Sequence, residues 1–378
     1  MVNRLKNALW LIVGVVVAVW ALTSLMGLVQ AGGMDPPGPP GSTLKPLFEI
    51  EPRTAIWQPD DPTGFPIIIS QPGSYYLGRN ITGVANKDGI HIRADNVTLD
   101  LNGFTVQGVE GSFNGITVPK EASPAVYNLS IFNGTIRDWG NAGIGASDPN
   151  GEADNSRLAD LILDGNGGPG VRVGSGSTIT RVTALGNGQA GIQATGYTIV
   201  VDSQASSNTG DGILAASSTL DRVRAFDNGG DGIAVFDNSV VTNCVSKDNR
   251  YRGMVVSDSI VSNCSVQHNL YYGIYVGQVS TIVGNLIFNN GAAGYGGAGI
   301  YVNTGGNRIE GNHLVANFDR GIDVDGNANI IIKNSANGNG ANPALHDYDI
   351  TGTNVVGQII DMTGGGTITA DPWANFRH

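Results

Sequence analysis

The chain is poor in the residues on which redox and metal chemistry depend. Its 378 residues include 2 cysteines and 5 histidines, and only 14% of the residues are charged. Copper and zinc centres need a gathered set of thiolate or imidazole ligands, so metal handling is a remote function for this composition. The formal net charge of −11 argues against nucleic acid and anionic lipid surfaces as partners. It also disfavours a polyanionic substrate unless basic residues gather locally.

Helical periodicity is missing as well. Between residues 87 and 340 no ten-residue run has an apolar period of 3.6 residues. The segments there are short, rich in β-branched residues and separated by Gly, Asn, Ser and Asp, which are strand and turn signals. Glycine, by contrast, is abundant, with 56 copies that suit many tight turns. The sequence therefore predicts an all-β protein of short strands.

What the sequence does contain is a repeat, N-x-x-x-G-[IVM]. Its first six asparagines recur every 20 or 21 residues, at Asn166, Asn187, Asn208, Asn228, Asn249 and Asn269. A seventh full copy spans Asn317–Ile322, and looser copies that keep only the Gly-Ile pair begin at Gly89, Gly115, Gly143 and Gly299. A helix-free period of this length predicts a solenoid, here of about eleven coils.

Coiling would stack equivalent strands in parallel and bury a continuous core. Positions eight, five and three residues before each asparagine are small or branched, as in Val200, Ser203 and Ala205, and are predicted to point inward. The asparagines, stacked at ~4.8 Å, are predicted to donate to one another and to turn backbone. The glycine four residues later fits either a turn with positive φ or a close backbone approach.

The asparagine repeat, its period and the phrase "DGIHIRADNVTLDLNGFTVQG" resemble the right-handed parallel β-helix proteins. That pectin-lyase-like superfold includes pectate lyases, polygalacturonases, alginate epimerases and NosD-like proteins. The resemblance covers about residues 65 to 340. It implies a single-stranded right-handed parallel β-helix, but no activity, because many functions share the scaffold.

The catalytic sequence motifs of those enzymes are absent from this chain or altered in it. The "NTGD" beginning at Asn208 inserts a glycine into the Asn-Thr-Asp of polygalacturonases, and there is no Gly-His-Gly. Alginate epimerases carry an Asp-Pro-His motif, and the nearest match here is "DPW", which begins at Asp371. Pectate lyases use a basic arginine beside calcium-binding carboxylates; Arg320 lies among aspartates but lacks the surrounding motif. The resemblance therefore transfers no catalytic residue and no copper ligands.

The two ends of the chain predict export and capping. Residues 1–31 carry an uncharged run from Ala8 to Val29, which fits a signal peptide cut after Ala31 or an uncleaved membrane anchor. Either reading places the coils in the periplasm, on the cell surface or in the medium. Residues 32–46 form a Pro/Gly-rich linker, 47–86 an N-terminal cap, 87–340 the β-helix and 341–378 a C-terminal cap or tail.

The two cysteines fall in one column. Cys244 and Cys264 occupy equivalent positions of adjacent coils, so their Cα atoms are predicted about 5 Å apart. That distance permits a disulfide in an exported chain, and two buried thiols are the alternative.

Two polar columns are candidates for catalysis. Asp211 and Asp231, with Arg252 next, precede the repeat glycine; paired carboxylates repel each other and are the groups used in glycoside hydrolysis. Asp248 and His268 immediately precede the asparagine and offer an acid and a base. For both columns, solvated turn residues are the alternative interpretation.

Tyrosine is concentrated in one region, because six of the eleven lie between residues 251 and 301. Tyr272, Tyr275 and Tyr301 are predicted to bind sugar rings, since tyrosine offers a flat apolar face with a polar rim. Arg320, like Arg252, is predicted to meet a carboxylate or sulfate group of the ligand. The alternative is that these tyrosines only cover strand surface.

An acidic phrase surrounds Arg320. Asp319, Asp323 and Asp325 supply oxygen ligands of the kind calcium prefers, although Gly326 comes too early for an EF-hand loop. Calcium is thus a candidate ligand, and no cofactor is predicted to be required.

The predicted function is that of an exported β-helix protein which binds a polysaccharide along the outside of the coil. Cleavage or modification would make it a lyase, glycoside hydrolase or epimerase. The alternative is a non-catalytic structural or adhesive rod at the cell surface or in a matrix. No nucleic acid is expected, and a membrane only through the N-terminal segment.

Overall fold

The structure, a computed structural model, describes Gly14 and residues 51–119, 125–146, 153–340, 347–365 and 371–378. The chain divides into two units, Met1–Pro52 and Arg53–His378, and the strands belong to the second. Apart from Gly14, the predicted leader and the Pro/Gly linker lie outside the described residues. Within the described ranges, no helix has the length and apolar character needed to cross a membrane.

The strands form two large parallel sheets. Sheet 1 has 25 strands in the described part of the chain. They are Thr54–Ile56, Gly73–Leu77, Ile81–Thr82, Val97–Asp100, Thr105–Gln107, Ser130–Arg137, Arg157–Asp164, Thr178–Leu185, Ile199–Val201, Gln204–Ser206, Thr219–Asp221, Arg224–Phe226, Val240–Thr242, Val245–Lys247, Ile260–Ser262, Ser265–Gln267, Thr281–Val283, Leu286–Phe288, Arg308–Glu310, His313–Val315, Ile330–Ile332, Ser335–Asn337, Val355–Val356, Ile359–Asp361 and Asn375–Arg377.

Sheet 2 has 13 strands among the described residues. They are Ile67–Ile69, Ile90–Ile92, Ile116–Thr117, Ile144–Ala146, Val171–Val173, Ile192–Ala194, Ile213–Ala216, Ile233–Phe236, Met254–Val256, Ile274–Val276, Ile300–Val302, Ile322–Val324 and Tyr348–Ile350. A short pair, Val126–Tyr127 and Ala153–Asp154, lies apart from both sheets, and a 3₁₀ turn spans Pro62–Gly64.

Equivalent strands of successive coils pair in parallel, as predicted. In sheet 2, Ile213 pairs with Ile233, and Ile233 with Met254. The 13 strands of sheet 2 exceed the eleven repeats counted from the sequence, because Ile67–Ile69 and Tyr348–Ile350 lack the Gly-Ile phrase. Parallel stacking therefore extends into both segments predicted as caps.

The predicted core columns are confirmed. The residues eight positions before each ladder asparagine are all 0% exposed: Ile179, Val200, Leu220, Val241 and Val261. The columns five and three positions before it are buried as well. A single cluster of apolar side chains runs from Ile56 to Tyr348, so the stacked coils share one continuous core.

Each later coil turns at three corners, and a residue in the left-handed conformation stands at each one. In one coil these residues are Ser217, Arg222 and Asp227, with φ of 50°, 52° and 55°. The residue after each of them points inward, and its backbone N–H donates a hydrogen bond to a side chain of the next coil. The three bonds run from Ser218 to Ser239, from Val223 to Cys244 and from Asn228 to Asn249. These bonds satisfy buried donors and offset the cost of the left-handed turns.

The asparagine ladder is confirmed at the third corner. The Asn187 side-chain amide donates to Asn208 Oδ1 at 2.9 Å, and Asn208 donates to Asn228 at 2.9 Å. The ladder continues past Asn269 to an aspartate, through Asn290, Asn317, Asn339 and Asp347, and Asn317 begins the seventh copy of the repeat. Asn290 escapes the sequence pattern because an insertion separates it from its glycine, Gly299.

The repeat glycine is explained by close approach rather than by φ. Gly253 has no positive φ, but a Cβ built on it would lie 2.6 Å from the Gly273 carbonyl oxygen and against Val266. Any side chain there would push adjacent coils apart.

The two cysteines are free and buried. The Cys264 sulfur accepts the backbone N–H of Cys244 at 3.4 Å, and Asn285 Oδ1 accepts that of Cys264 at 2.9 Å. At the second corner the thiols therefore occupy ladder positions that an asparagine side chain occupies in the next coil. Of the two predictions for these cysteines, a disulfide or two buried thiols, the structure has the buried thiols.

Candidate functional site

The outer face of sheet 2 carries the predicted polysaccharide residues. Along its central column, Val255, Tyr275, Tyr301, Asp323 and Asp349 pair in register, one from each successive coil. Alternate residues of a strand point to opposite faces. The flanking residues of each strand point into the core, so the column faces outward.

Five tyrosines, here called the tyrosine cluster, are in ring contact where the turns after the third corner lead into the strands of sheet 2. They are Tyr251, Tyr271, Tyr272, Tyr275 and Tyr301. Tyr251 stacks on Tyr271 with 5.5 Å between ring centroids, and Tyr272 stacks on Tyr301 at 4.6 Å. Tyr271 contacts Tyr272 at 4.2 Å, and Tyr275 contacts Tyr301 at 5.6 Å. The cluster is therefore one contiguous aromatic surface across neighbouring coils.

The Asp211–Asp231–Arg252 column joins this surface. Asp211 Oδ1 accepts the backbone N–H of Asp231 at 2.8 Å, and burial raises the pKa of Asp211. Arg252 donates two bonds to the Asp231 carboxylate, of 2.9 and 3.0 Å. The same guanidinium lies 4.5 Å from the Tyr251 ring and 4.9 Å from the Tyr275 ring. The polar and aromatic columns therefore converge on one face.

The opposite side of the cluster is acidic. The Tyr301 hydroxyl donates to Asp325 Oδ2 at 2.8 Å. Arg320 contacts three carboxylates: Asp349 at 2.8 Å, Asp323 at 3.1 Å and Asp319 at 3.5 Å. We call Asp319, Asp323, Asp325 and Asp349 the acidic flank.

Asp323 is the most perturbed member of the acidic flank. Its side chain is 13% exposed. Burial, followed by the charges of Asp325, Asp349 and Asp319, raises its pKa to about 6 against the opposing effect of Arg320. A carboxyl group that titrates there can exchange a proton near neutral pH.

Asp248 and His268 occupy the third corner instead. Both are left-handed residues, with φ of 55° and 54°. Asp248 contacts Lys247 at 3.1 Å, and His268 contacts Asn289 and Phe288. This position favours the turn interpretation, and a catalytic role for the pair stays an untested prediction.

The predicted calcium ligands hold other partners. Asp319 and Asp323 contact Arg320, and Asp325 contacts Tyr301. Within the described ranges, no three His, Cys, Asp or Glu side chains form a group that could hold a metal ion. Calcium binding at Asp319, Asp323 and Asp325 stays an untested prediction.

Two parts of this face are not predicted from the sequence: Asp349, and the contact of Asp88 with His91. Asp349 falls in the predicted C-terminal tail, although "YDI" repeats the alternation of "IDV" and "IYV". Asp88 precedes Gly89 as Asp231 precedes Gly232, and its Oδ2 lies 2.8 Å from His91 Nε2. Asn114 donates to the other Asp88 oxygen at 2.8 and 2.9 Å.

Replacing Asp323 with asparagine tests its titration. A raised carboxyl pKa contributes stability that is present below the unfolded-state value near 3.8 and is lost as pH rises through about 6. The gain in melting temperature of Asp323→Asn over wild type should therefore grow from about pH 4 to about pH 7.5. Thermal unfolding followed by circular dichroism at both pH values measures it.

Asp202→Asn is the control, for which the melting temperature relative to wild type should change with pH in the opposite direction. A hydrogen bond from Arg222 lowers the pKa of Asp202, so this variant should lose more melting temperature at the higher pH. If the gain of Asp323→Asn does not change with pH, Asp323 does not titrate near 6.

The stacked parallel coils and their corner ladders define the class of solenoid β-helix proteins. A family model described as a right-handed β-helix region matches residues 79–260 and 254–339. The chain belongs to this right-handed β-helix family, which confirms the predicted fold.

Solved structures are similar to this chain at low sequence identity. The A-module of the Azotobacter vinelandii mannuronan C-5 epimerase AlgE6 has a TM-score of 0.60 and 17% identity, over 81% of this chain and 89% of that one. The periplasmic alginate epimerase AlgG has a TM-score of 0.43 and 13% identity, over 78% of this chain and 77% of that one. No curated protein matches the sequence.

Proposed function

We propose that this protein binds a polysaccharide along the outer face of sheet 2, with the tyrosine cluster as the principal contact surface. The observation that carries the proposal is the convergence of five tyrosines, Arg252 and the acidic flank on one face. The sequence places these residues in separate columns, and the ring contacts join them.

The chemistry of this face suits sugars. Tyrosine rings present apolar faces that pack against the C–H faces of pyranose rings, and their hydroxyl groups stay at the rim. Carboxylates accept hydrogen bonds from sugar hydroxyls. Successive coils advance by ~4.8 Å, so an extended glycan along the column meets one outward residue from each coil.

The fold comparison supports this proposal by analogy only. The Azotobacter module of the same fold is named as an epimerase of mannuronan, so this scaffold carries a polysaccharide-modifying activity in at least one other protein. The residues of the tyrosine cluster are argued from this chain alone.

Modification of the bound glycan is the finer proposal. Asp323, with a pKa of about 6, pairs in register with Tyr301 and is suited to general acid or base catalysis. Release of reducing ends or unsaturated uronates from a glycan mixture by the full chain would support a hydrolase or lyase. If neither product forms, glycan binding stands without cleavage.

Export is part of the same proposal. The uncharged run from Ala8 to Val29 predicts a signal peptide or membrane anchor. Either would place the tyrosine cluster outside the cytoplasm, where extracellular polysaccharides are met.

Binding of the full chain to a panel of soluble polysaccharides tests the function. The panel contains neutral glucans, a deacetylated and an acetylated amino-sugar polymer, and two polyuronates, and affinity electrophoresis reports retardation. Saturable retardation by at least one polymer is the expected result. If none retards the chain, the proposed function is wrong.

A further inference from the structure

The charge around the tyrosine cluster bears on which glycan it takes. Six carboxylates are linked to the cluster through hydrogen bonds, ion pairs and strand pairing: those of Asp211, Asp231, Asp319, Asp323, Asp325 and Asp349. They face two guanidinium groups, those of Arg252 and Arg320. With all groups ionised, six negative and two positive charges leave a net of −4. The whole chain, at −11, adds to that field instead of opposing it.

Both guanidinium groups already have carboxylate partners. Asp231 holds Arg252 through two bonds, and its side chain is only 9% exposed. Arg320 contacts three members of the acidic flank. A uronate or sulfate would therefore meet guanidinium groups whose charge is already offset by carboxylates, and it would bring a like charge beside Asp231 or the acidic flank. This geometry argues against the expectation that Arg320 and Arg252 meet an anionic sugar.

Among the described residues, two of these six carboxylates, those of Asp325 and Asp211, form no ion pair with an arginine. Asp325 is exposed and contacts the Tyr301 hydroxyl, and Asp211 accepts the backbone N–H of Asp231. Neither contact supplies a positive charge. Asp325 contacts the tyrosine cluster directly through Tyr301, whereas Asp211 is linked to it through Asp231 and Arg252.

We infer that the glycan bound by this face is cationic: an amino-sugar polymer whose ammonium groups are free. This inference rests on the proposed function and names its substrate class. Sugar rings would pack on the tyrosines while an ammonium group pairs with Asp325, the exposed carboxylate that contacts Tyr301. Ammonium groups are also attracted to the faces of tyrosine rings. A neutral glycan gains only the stacking, and a polyuronate adds like charges to an acidic face.

Three oligosaccharides of equal length separate these cases. They are a glucosamine hexamer, its fully N-acetylated twin and a galacturonate hexamer, each titrated into the full chain by calorimetry at low ionic strength. We expect the glucosamine hexamer to bind about tenfold or more tighter than its twin, with the galacturonate hexamer weakest. Salt should weaken the glucosamine hexamer selectively, because screening acts on charge pairs and not on ring stacking.

Asp325→Asn tests the charge at the cluster itself. An asparagine still accepts the Tyr301 hydroxyl, so the substitution removes charge with little change of shape. The affinity for the glucosamine hexamer should fall about three- to tenfold, and that for the acetylated twin should stay the same. Asp60→Asn is the matched control, since Asp60 is fully exposed and far from the cluster in sequence, and it should change neither.

Each other outcome has a distinct meaning. If the galacturonate hexamer binds most tightly, or the acetylated twin equals the glucosamine hexamer, the inferred charge is wrong while glycan binding stands. If Asp325→Asn weakens both amino-sugar ligands equally, Asp325 acts through shape and the charge argument fails. If no hexamer and no polymer of the panel binds, the proposed function fails together with the inference.

Discussion

Replacing Asn228 with alanine is expected to lower the free energy of unfolding by about 3 to 5 kcal/mol. Its Oδ1 accepts the backbone N–H and the side-chain amide of Asn208, at 3.1 and 2.9 Å. Its own amide donates to the Ala205 carbonyl at 3.2 Å and to Asn249 Oδ1 at 3.0 Å. All of these groups are buried, so the substitution leaves several donors and acceptors without partners, at about 1 to 3 kcal/mol each.

Urea unfolding of the full chain, followed by circular dichroism, measures this loss. Asn238→Gly is the control, because Asn238 is an exposed corner residue with φ of 64°, which glycine adopts without strain. It should change the free energy of unfolding by less than about 1 kcal/mol. If Asn228→Ala were as mild as this control, the ladder would not stabilise the coil.

Removing two rings of the tyrosine cluster is expected to weaken glycan binding by roughly 30- to 150-fold. Tyr275 and Tyr301 stand in the central column of sheet 2, and each contacts Tyr272. Each ring supplies about 1 to 1.5 kcal/mol of stacking, so the double variant Tyr275→Ala/Tyr301→Ala loses about 2 to 3 kcal/mol. Affinity electrophoresis against the polysaccharide panel measures the loss.

Tyr197→Ala is the matched control for the double variant. Tyr197 is 78% exposed but lies at the first corner, outside the cluster. Its removal should leave the affinity for every polymer unchanged. Equal retardation of the wild type and the double variant would show that the glycan contacts another surface. Thermal unfolding of both variants confirms that the coil persists.

The fold could be predicted from the sequence because, in a solenoid, residues one repeat apart in the sequence stack on one another in adjacent coils. A period of 20 or 21 residues places Asn187, Asn208 and Asn228 in one ladder, and the core columns follow from the same count. Coils that lack the repeat motif cannot be predicted from this period. The strand Tyr348–Ile350 follows an aspartate rather than a glycine, yet it pairs with Ile322–Val324 in register.

The corners were harder to predict, because the left-handed conformation is not tied to one residue type. Arg181, His268, Val279 and Ala316 all adopt it, with φ between 48° and 54°. The hydrogen bonds of the following residue fix this conformation, and those bonds come from neighbouring coils. The column of Asp248 and His268 therefore stands at a turn, and the catalytic role predicted for it stays a prediction.

The candidate site was predictable in its parts but not in its pairing. Tyr272, Tyr275 and Tyr301 stand out by the density of tyrosine in the sequence, and the structure brings them together. The repeat also places Arg252 next to Asp231, but the contact of Arg252 with two tyrosine rings depends on side-chain directions at the turn. Those pairings are part of the basis on which we infer a cationic rather than an acidic sugar as the ligand.

Hydroxyl-radical footprinting of the full chain, with and without a saturating polymer from the panel, shows which side chains the glycan covers. We expect bound glycan to protect Tyr271, Tyr272, Tyr275 and Tyr301 from oxidation, while Tyr197 stays as reactive as before. Protection of Tyr197 or of sheet 1 side chains, with the tyrosine cluster unprotected, would contradict this expectation.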